Sequence, residues 1–401
     1  MLWNSLGSLF GLACQWLITV FVVRLSSGYD AAGVYSLAVS VYGIFAPIAQ
    51  YRMYTYQVSD VKGENSTSEY MAFRCLTCAM SLVVCLGYSL FTCSSDAWLA
   101  IVLYGLYKSA TLLIDVMHGC DQRNDRIDYI GKSLGLQGLA TLFAFVAVFG
   151  ITHNLEASLG AMLLVTVAVG TIYDLPRTSR FDGLRPSISF SKTRYLLGKC
   201  LSVVVAGIAV SASSSLPRQY LSIVMGNAAL GIYSSVAAPV AIIQMGVSYI
   251  YNPLLGYFSK AYAARNKVEF RNLFLKVVVA MVAVGAFCSV GVLILGEPIL
   301  ALVFGESIVD HAYLLQPLVL LAIVTGFTWF VNDLLIALRN FTAAFVGSIV
   351  SLGLSAVCMI PFITYFGMNG VSFACLAASV ASIVTMLAFL LRQLKAYWRE
   401  G

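Results

Sequence analysis

LWNSLGSLFGLACQWLITVFVV, residues 2–23, carries no charge and is predominantly apolar. About 20 such residues in a helix cross a hydrocarbon core. A secretory signal would show a basic n-region, a shorter apolar stretch and a small-x-small cleavage site, and these features are missing here. The stretch is therefore read as a first membrane span. Runs of the same kind recur to the other end of the chain. The 401 residues are 60% hydrophobic and 10% charged, against roughly 25% charged in a soluble domain. So few charges cannot cover a water-facing surface, which makes lipid the main solvent.

Segmentation places twelve spans at 2–25, 32–51, 71–93, 97–118, 129–151, 157–175, 199–224, 229–258, 272–296, 314–338, 342–366 and 369–391. Span 229–258 is too long for one crossing and must tilt or extend beyond it. If the spans are right, every second connection should collect Lys and Arg. The 2–3 connection holds Arg52 and Lys62, and the 4–5 connection holds Arg123 and Arg126. The 6–7 connection holds Arg177, Arg180, Arg185, Lys192 and Arg194. Lys260, Arg265, Lys267 and Arg271 follow span 8, Arg339 follows span 10, and Arg392, Lys395 and Arg399 lie in the tail. The intervening connections instead show acids such as Asp30, Asp96, Glu156, Glu297, Glu306 and Asp310. Both termini are therefore expected to be cytoplasmic. The net charge of +6 is a topology signal, and no nucleic-acid-binding context accompanies it.

Of ten cysteines, Cys75 and Cys78 form a C-x-x-C. On a helix that spacing only puts two small apolar side chains on one face. No second pair or nearby histidine completes a metal site, so no metal and no cofactor are expected.

The chain also repeats itself. Ala32-Gly33-Val34-Tyr35-Ser36 opens span 2 and Leu230-Gly231-Ile232-Tyr233-Ser234 opens span 8. Arg123-Asn124 precedes Gly131, and Arg339-Asn340 precedes Gly347 at the same spacing. Two six-span units enter the membrane with the same orientation and are parallel repeats about an axis along the membrane normal. Repeats of that kind enclose a central cavity. The expected division is a bundle over 1–176, a cytoplasmic linker over 177–198 and a second bundle over 199–401.

The G-[VI]-Y-S openings, the segment Glu297-Pro298-Ile299-Leu300-Ala301-Leu302-Val303-Phe304-Gly305, Arg339-Asn340 before a Gly-rich span, and Phe366-Gly367-Met368-Asn369-Gly370 resemble a known group. It is the polysaccharide branch of the multidrug/oligosaccharidyl-lipid/polysaccharide (MOP) exporter superfamily, and the resemblance covers essentially the whole chain. It implies an all-α integral membrane fold of two six-helix bundles in a V. It also implies a bacterial inner-membrane flippase that moves an undecaprenyl-pyrophosphate-linked repeat unit outward for O-antigen or capsule assembly. The implied partners are that lipid-linked oligosaccharide, membrane lipids, and a polysaccharide polymerase with its chain-length regulator. A monomer without cofactor or nucleic acid is expected.

Charges inside spans are costly and usually face a bundle interior. Lys108 lies mid-span, seven residues from Asp115 and about 10 Å from it along the axis. It is read either as an anion-binding cation or as one with a structural partner. Asp115 matches the depth of Lys132 on the next span and is expected to pair with it. His118 is a candidate for proton coupling or an interfacial histidine. Arg24 and Arg218 place a cation in the first helix of each half and are read, with Lys108, as binding the pyrophosphate in a cationic cavity between the halves, with Pro217 kinking the second; the bland alternative is snorkelling. Arg52 is read as a pyrophosphate guide or a positive-inside anchor. Asp333 either balances Arg339 or takes part in cation coupling.

Two rival functions are weighed. A multidrug or organic-cation antiporter of the same superfamily would want an acidic cavity, whereas the deep charges here lean basic. A membrane glycosyltransferase or polymerase would need acids or a metal motif and a large extramembrane loop.

Overall fold

The computed structural model describes residues 2–60 and 63–399; Lys62, one of the expected basic anchors, lies outside them. The described residues form helices joined by short turns, with no strands among them. In chain order the helices are α1 (Leu2–Arg24), α2 (Asp30–Gln50), α3 (Met53–Ser59), α4 (Thr67–Thr92), α5 (Ser95–Arg123), α6 (Ile127–Thr152) and α7 (Leu155–Val169). A π-helical turn, Gly170–Asp174, then runs into α8 (Leu175–Thr178). After an irregular connection come α9 (Phe190–Tyr251), α10 (Leu255–Ala263), α11 (Lys267–Phe304), α12 (Leu315–Ala337), α13 (Phe341–Phe366) and α14 (Asn369–Arg399).

Eleven helical stretches among the described residues are long and apolar enough to cross a bilayer. One of them, Phe190–Ala263, has 74 residues and as a single helix would rise about 110 Å. It is broken at Gly226, whose φ of 85° and ψ of 168° suit glycine and few other residues. The break falls in the gap expected between spans 7 and 8, and counting its two arms separately gives twelve crossings. The overlong eighth span is resolved by a second break. Helix α9 ends at Tyr251, a 3-10 turn carries Pro253, and α10 follows.

Local chemistry explains where helices begin. Ser66 accepts from Glu69 N at 3.3 Å while Glu69 accepts from Ser66 N at 3.0 Å, a capping box that opens α4. Asn154, Asn266 and Asn340 cap α7, α11 and α13 through their side-chain oxygens. Three helices end alike, with a left-handed residue and a bond reaching back five positions: Arg126 N to Asp121 O, Asn266 N to Ala261 O, and Asn340 N to Leu335 O. The left-handed residues are Asp125, Arg265 and Arg339. This is the Schellman ending, satisfying carbonyls the helix leaves orphaned. It also corrects the repeat register. Arg339-Asn340 matches Asp125-Arg126 in structure, not Arg123-Asn124, because hydrogen-bond position and not residue identity defines the turn.

The chain forms two compact units, Met1–Ser211 and Ala212–Gly401. The first extends beyond residue 176. Leu196, Cys200 and Val204 of α9 join a core with Tyr51, Tyr70 and Phe73, and Asp182 and Gly183 in the connection bond to Thr67 N and Ser68 Oγ. In this unit α1 lies against α6 so closely that a Cβ on Gly7 or Gly131 would strike the facing backbone. The second unit packs α12, α13 and α14 around Phe258, Phe330, Leu334 and Leu390. Outward faces are apolar: Phe91 is 91% exposed, Phe287 79% and Leu302 79%. Water would penalise such a surface and lipid would not.

Candidate functional site

A cavity of about 590 Å³ lies within the first unit, where α1, α3, α4, α5 and α6 meet the end of α2. Its charged lining is Arg52, Arg74, Lys108, Asp115 and His118; Gln15, Gln50 and Gln137 supply amides, and Tyr107 an aromatic wall.

Lys108 has no carboxylate within ion-pair distance among the described residues. Its Nζ instead stands 5.1 Å from the Tyr107 ring centre and 5.6 Å from that of Tyr104. Tyr104 is in turn held edge-on by Tyr35 and Tyr42, each 5.9 Å away. Aromatic faces attract a cation by about 0.5–2 kcal/mol, which offsets its burial without neutralising it.

Arg74 on α4 is 1% exposed. It donates to Ala49 O at 2.9 Å and Gln50 O at 2.5 Å, the carbonyls at the end of α2, and to Asp115 Oδ2 at 3.3 Å. Thr77 Oγ1 adds a 3.0 Å bond to Ala49 O. Beyond these carbonyls Tyr51 and Arg52 are both left-handed, with φ of 44° and 55°. Non-glycine residues pay roughly 1–2 kcal/mol each for that geometry. The Arg74 clamp holds the break open and sets Arg52 at the cavity lining. Arg52 has no side-chain partner of its own among the described residues.

The expected Asp115–Lys132 pair does not form. Asp115 goes to Arg74, while Lys132 Nζ lies 3.8 Å from Asp128, four residues back on its own helix, and 5.5 Å from the Trp3 ring centre. Depth alone could not separate the two cations, since Arg74 one turn into its span matches Asp115 equally well. Arg74 was the residue the sequence left unnoticed. His118 is 4% exposed, buried where an interfacial position was one reading, and stands 3.3 Å from Asp174. Asp333 takes a 2.9 Å bond from Tyr251 and makes no ion pair with Arg339. Arg24 ends α1 on an exposed face. Arg218 is half-buried in the second unit, within electrostatic reach of Tyr233 and Cys375. Neither lines this cavity.

Among the described residues, eleven apolar helical stretches, one of them broken at Gly226, with polar and charged groups turned into one bundle, make a multi-pass membrane fold. That fold is the one of the MOP transporters. The chain superposes on a structure described as lipid II flippase MurJ in an inward closed conformation, with TM-score 0.74 and 9% identity, covering 99% of this chain and 90% of that one. It superposes on an inward-facing multidrug resistance MATE family transporter of the MOP superfamily with TM-score 0.68 and 13% identity, covering 97% and 96%. In sequence it is similar to the capsular polysaccharide biosynthesis protein CapF of Staphylococcus aureus, 22% identical over 381 residues, 94% of each chain. No family model matches the chain.

Proposed function

We infer that this chain is a flippase that carries an undecaprenyl-pyrophosphate-linked oligosaccharide, of O-antigen or capsule type, from the cytoplasmic to the periplasmic leaflet of a bacterial inner membrane. The observation that carries the reading is the charge of the cavity. Asp115 is engaged by Arg74, which leaves Arg52 and Lys108 uncompensated. A pyrophosphate accepts charge-assisted hydrogen bonds from both, Arg as a fork and Lys as a point charge. Hydration of the cavity on opening would weaken that attraction and release the head group. The capsular relative and the flippase of the same fold support this reading.

The runner-up is a multidrug antiporter, favoured only by the MATE structures of like fold. A cationic drug would meet two uncompensated cations and a single acid that is already paired.

The test is complementation of surface-polysaccharide export in a flippase-deficient strain, with membrane protein quantified. Removing Lys108 or Arg52 should lower export roughly tenfold to hundredfold, the equivalent of about 1.5–3 kcal/mol for a hydrogen bond between charged groups. Normal export by a well-expressed Lys108→Ala, Arg52→Ala double variant would remove the cavity from the pathway. Arg24→Ala and Arg218→Ala test the two remaining cations in the same assay. Drug accumulation that falls when the wild-type chain is expressed would favour the antiporter.

A further inference from the structure

The first turns of α9 carry a second recess, outside the cavity of the first unit. Ser191, Arg194, Tyr195, Gly198 and Lys199 line a shallow groove of about 530 Å³. These positions recur every three or four residues, so they share one face of the helix. The opposite face is spent on packing. Leu196, Cys200 and Val204 are buried in the core with Tyr51 and Phe73, and Leu197 O accepts from Tyr51. Gly198 forms the floor of the groove, where a Cβ would meet nothing within 4 Å. The start of the helix is not the feature, since Ser189 Oγ already accepts from the Lys192 N–H at 3.3 Å.

Donors without acceptors gather at this groove. Lys199 Nζ donates to Tyr56 Oη of α3 and to Tyr195 Oη, each at 2.9 Å, and stands 4.8 Å and 5.0 Å from the two ring centres. A phenol hydroxyl donates as well as accepts, and an ammonium has three N–H bonds. Each hydroxyl therefore turns its own proton away from the lysine, and neither finds an acceptor among the described residues. Arg194 has no hydrogen-bond or ion-pair partner among them either. Lys192, in the first turn, is the residue that holds an acid, Glu69 at 2.8 Å. Two cations and two hydroxyl protons around one open glycine suit an anion with several acceptor oxygens, as a phosphate is. The surface beyond decides which kind. Past Lys199 the helix exposes Leu201 at 53% and Val205 at 40%, inside a stretch apolar enough to cross a bilayer. A soluble anion gains nothing from that surface, whereas a lipid lays its chain along it while its head stays with the cations.

We propose that this groove binds the phosphate head of an anionic bilayer lipid. Arg194 forks onto the phosphate, Lys199 acts as a point charge, and the Tyr56 and Tyr195 hydroxyls add two donors. Lys199 ties the groove to α3 through Tyr56, so a bound head group also braces the short helix that follows Arg52. The site stands whatever the cavity of the first unit carries.

Native mass spectrometry of the purified full-length chain, with phosphatidylglycerol or phosphatidylcholine added, provides the test. The wild type should retain phosphatidylglycerol in preference. Arg194→Gln and Lys199→Gln should each weaken that retention roughly fivefold. Tyr195→Phe, which removes one hydroxyl from an exposed ring, should weaken it by about twofold to tenfold. Gly198→Leu fills the floor without touching a charge and should abolish the preference. The double variant Arg180→Gln, Arg185→Gln removes two exposed cations of the preceding connection and should leave it unchanged. An equal loss in that control would make the attraction a diffuse surface field and overturn the proposal. So would a preference that survives Arg194→Gln, Lys199→Gln. Glycerol phosphate that displaces the lipid at equal concentration would assign the groove to a soluble anion and overturn it as well. Should a charge variant fail to fold, Gly198→Leu still decides, because an unaltered preference there contradicts the site.

Discussion

Lys108 and Arg74 separate what a buried cation does for function from what it does for folding. Lys108 is compensated only by ring faces, so Lys108→Met keeps most of the volume and removes an uncompensated charge. The variant should unfold no more easily than wild type in detergent while export falls, the trade expected when a group is kept for activity. A marked loss of thermal stability in Lys108→Met would make the lysine structural. Arg74 is the opposite. Arg74→Ala strands Asp115, takes the guanidinium donor from Gln50 O at the end of α2 and leaves Ala49 O with Thr77 alone. Breaking a buried pair costs about 3–5 kcal/mol, and with Asp115 one-third exposed the lower end applies. Thermal unfolding should show that loss, and Asp115→Asn, which keeps an acceptor, should lose less. An Arg74→Ala variant as stable as wild type would contradict the clamp.

At the scale of the helix, the pairing of α1 with α6 is set by glycine. A Cβ on Gly131 would lie on the Trp3 and Asn4 backbone, whereas one on Gly135 would meet only the edge of Phe10 at 4.0 Å. Small residues let helices in lipid approach backbone to backbone, where packing and not water drives association. Gly131→Ala should therefore destabilise by roughly 1–3 kcal/mol, the usual range for overpacking. Gly135→Ala should be neutral or gain up to about 1 kcal/mol from helix propensity. Unfolding curves of the two variants in detergent check the contrast, and equal effects would mean the helices can slide apart freely.

Across the whole molecule, the alternating cations make a statement about topology. Cysteine-accessibility labelling should reach residues 177–194 and 259–271 from the cytoplasm and residues near Glu306 from the periplasm. The first of these connections is strapped to the unit it follows. Lys192 pairs with Glu69 at 2.8 Å, and Asp182 accepts from Thr67 N at 2.9 Å. Burial opposes ionisation of Asp182 and of Asp60 in the loop before α4, but the donors outweigh it. Thr67, the Gly183 N–H and Arg123 hold Asp182 below its usual 3.8, and the Glu64 and Asn65 N–H groups, Tyr70 and Arg123 do the same for Asp60. Groups depressed on folding stabilise above the unfolded pKa and lose that contribution as pH falls through the folded one. The strap should accordingly loosen in acid, below about pH 4, and not in alkali. Limited proteolysis at residues 60–66 and 179–189 against pH should show it, with Asp182→Asn already loose at neutral pH.

The sequence by itself determined the helical crossings and the break between spans 7 and 8. Both follow from a rule that acts along the chain: about twenty apolar residues to cross lipid, with charge and polarity kept to the connections. Partners across helices were another matter. Depth offered Asp115 both Lys132 and Arg74, and only the rotation of α4 and α6 about their own axes decided for Arg74. The packing of α5 against the π-helical turn after α7 likewise turned His118 and Asp174 towards each other, which spacing along two separate spans does not encode. The register of the repeat also shifted by two residues, since a backbone hydrogen bond and not an Arg-Asn pair marks the equivalent turn. Side chains a helix apart meet through packing, and packing is a property of the assembled bundle.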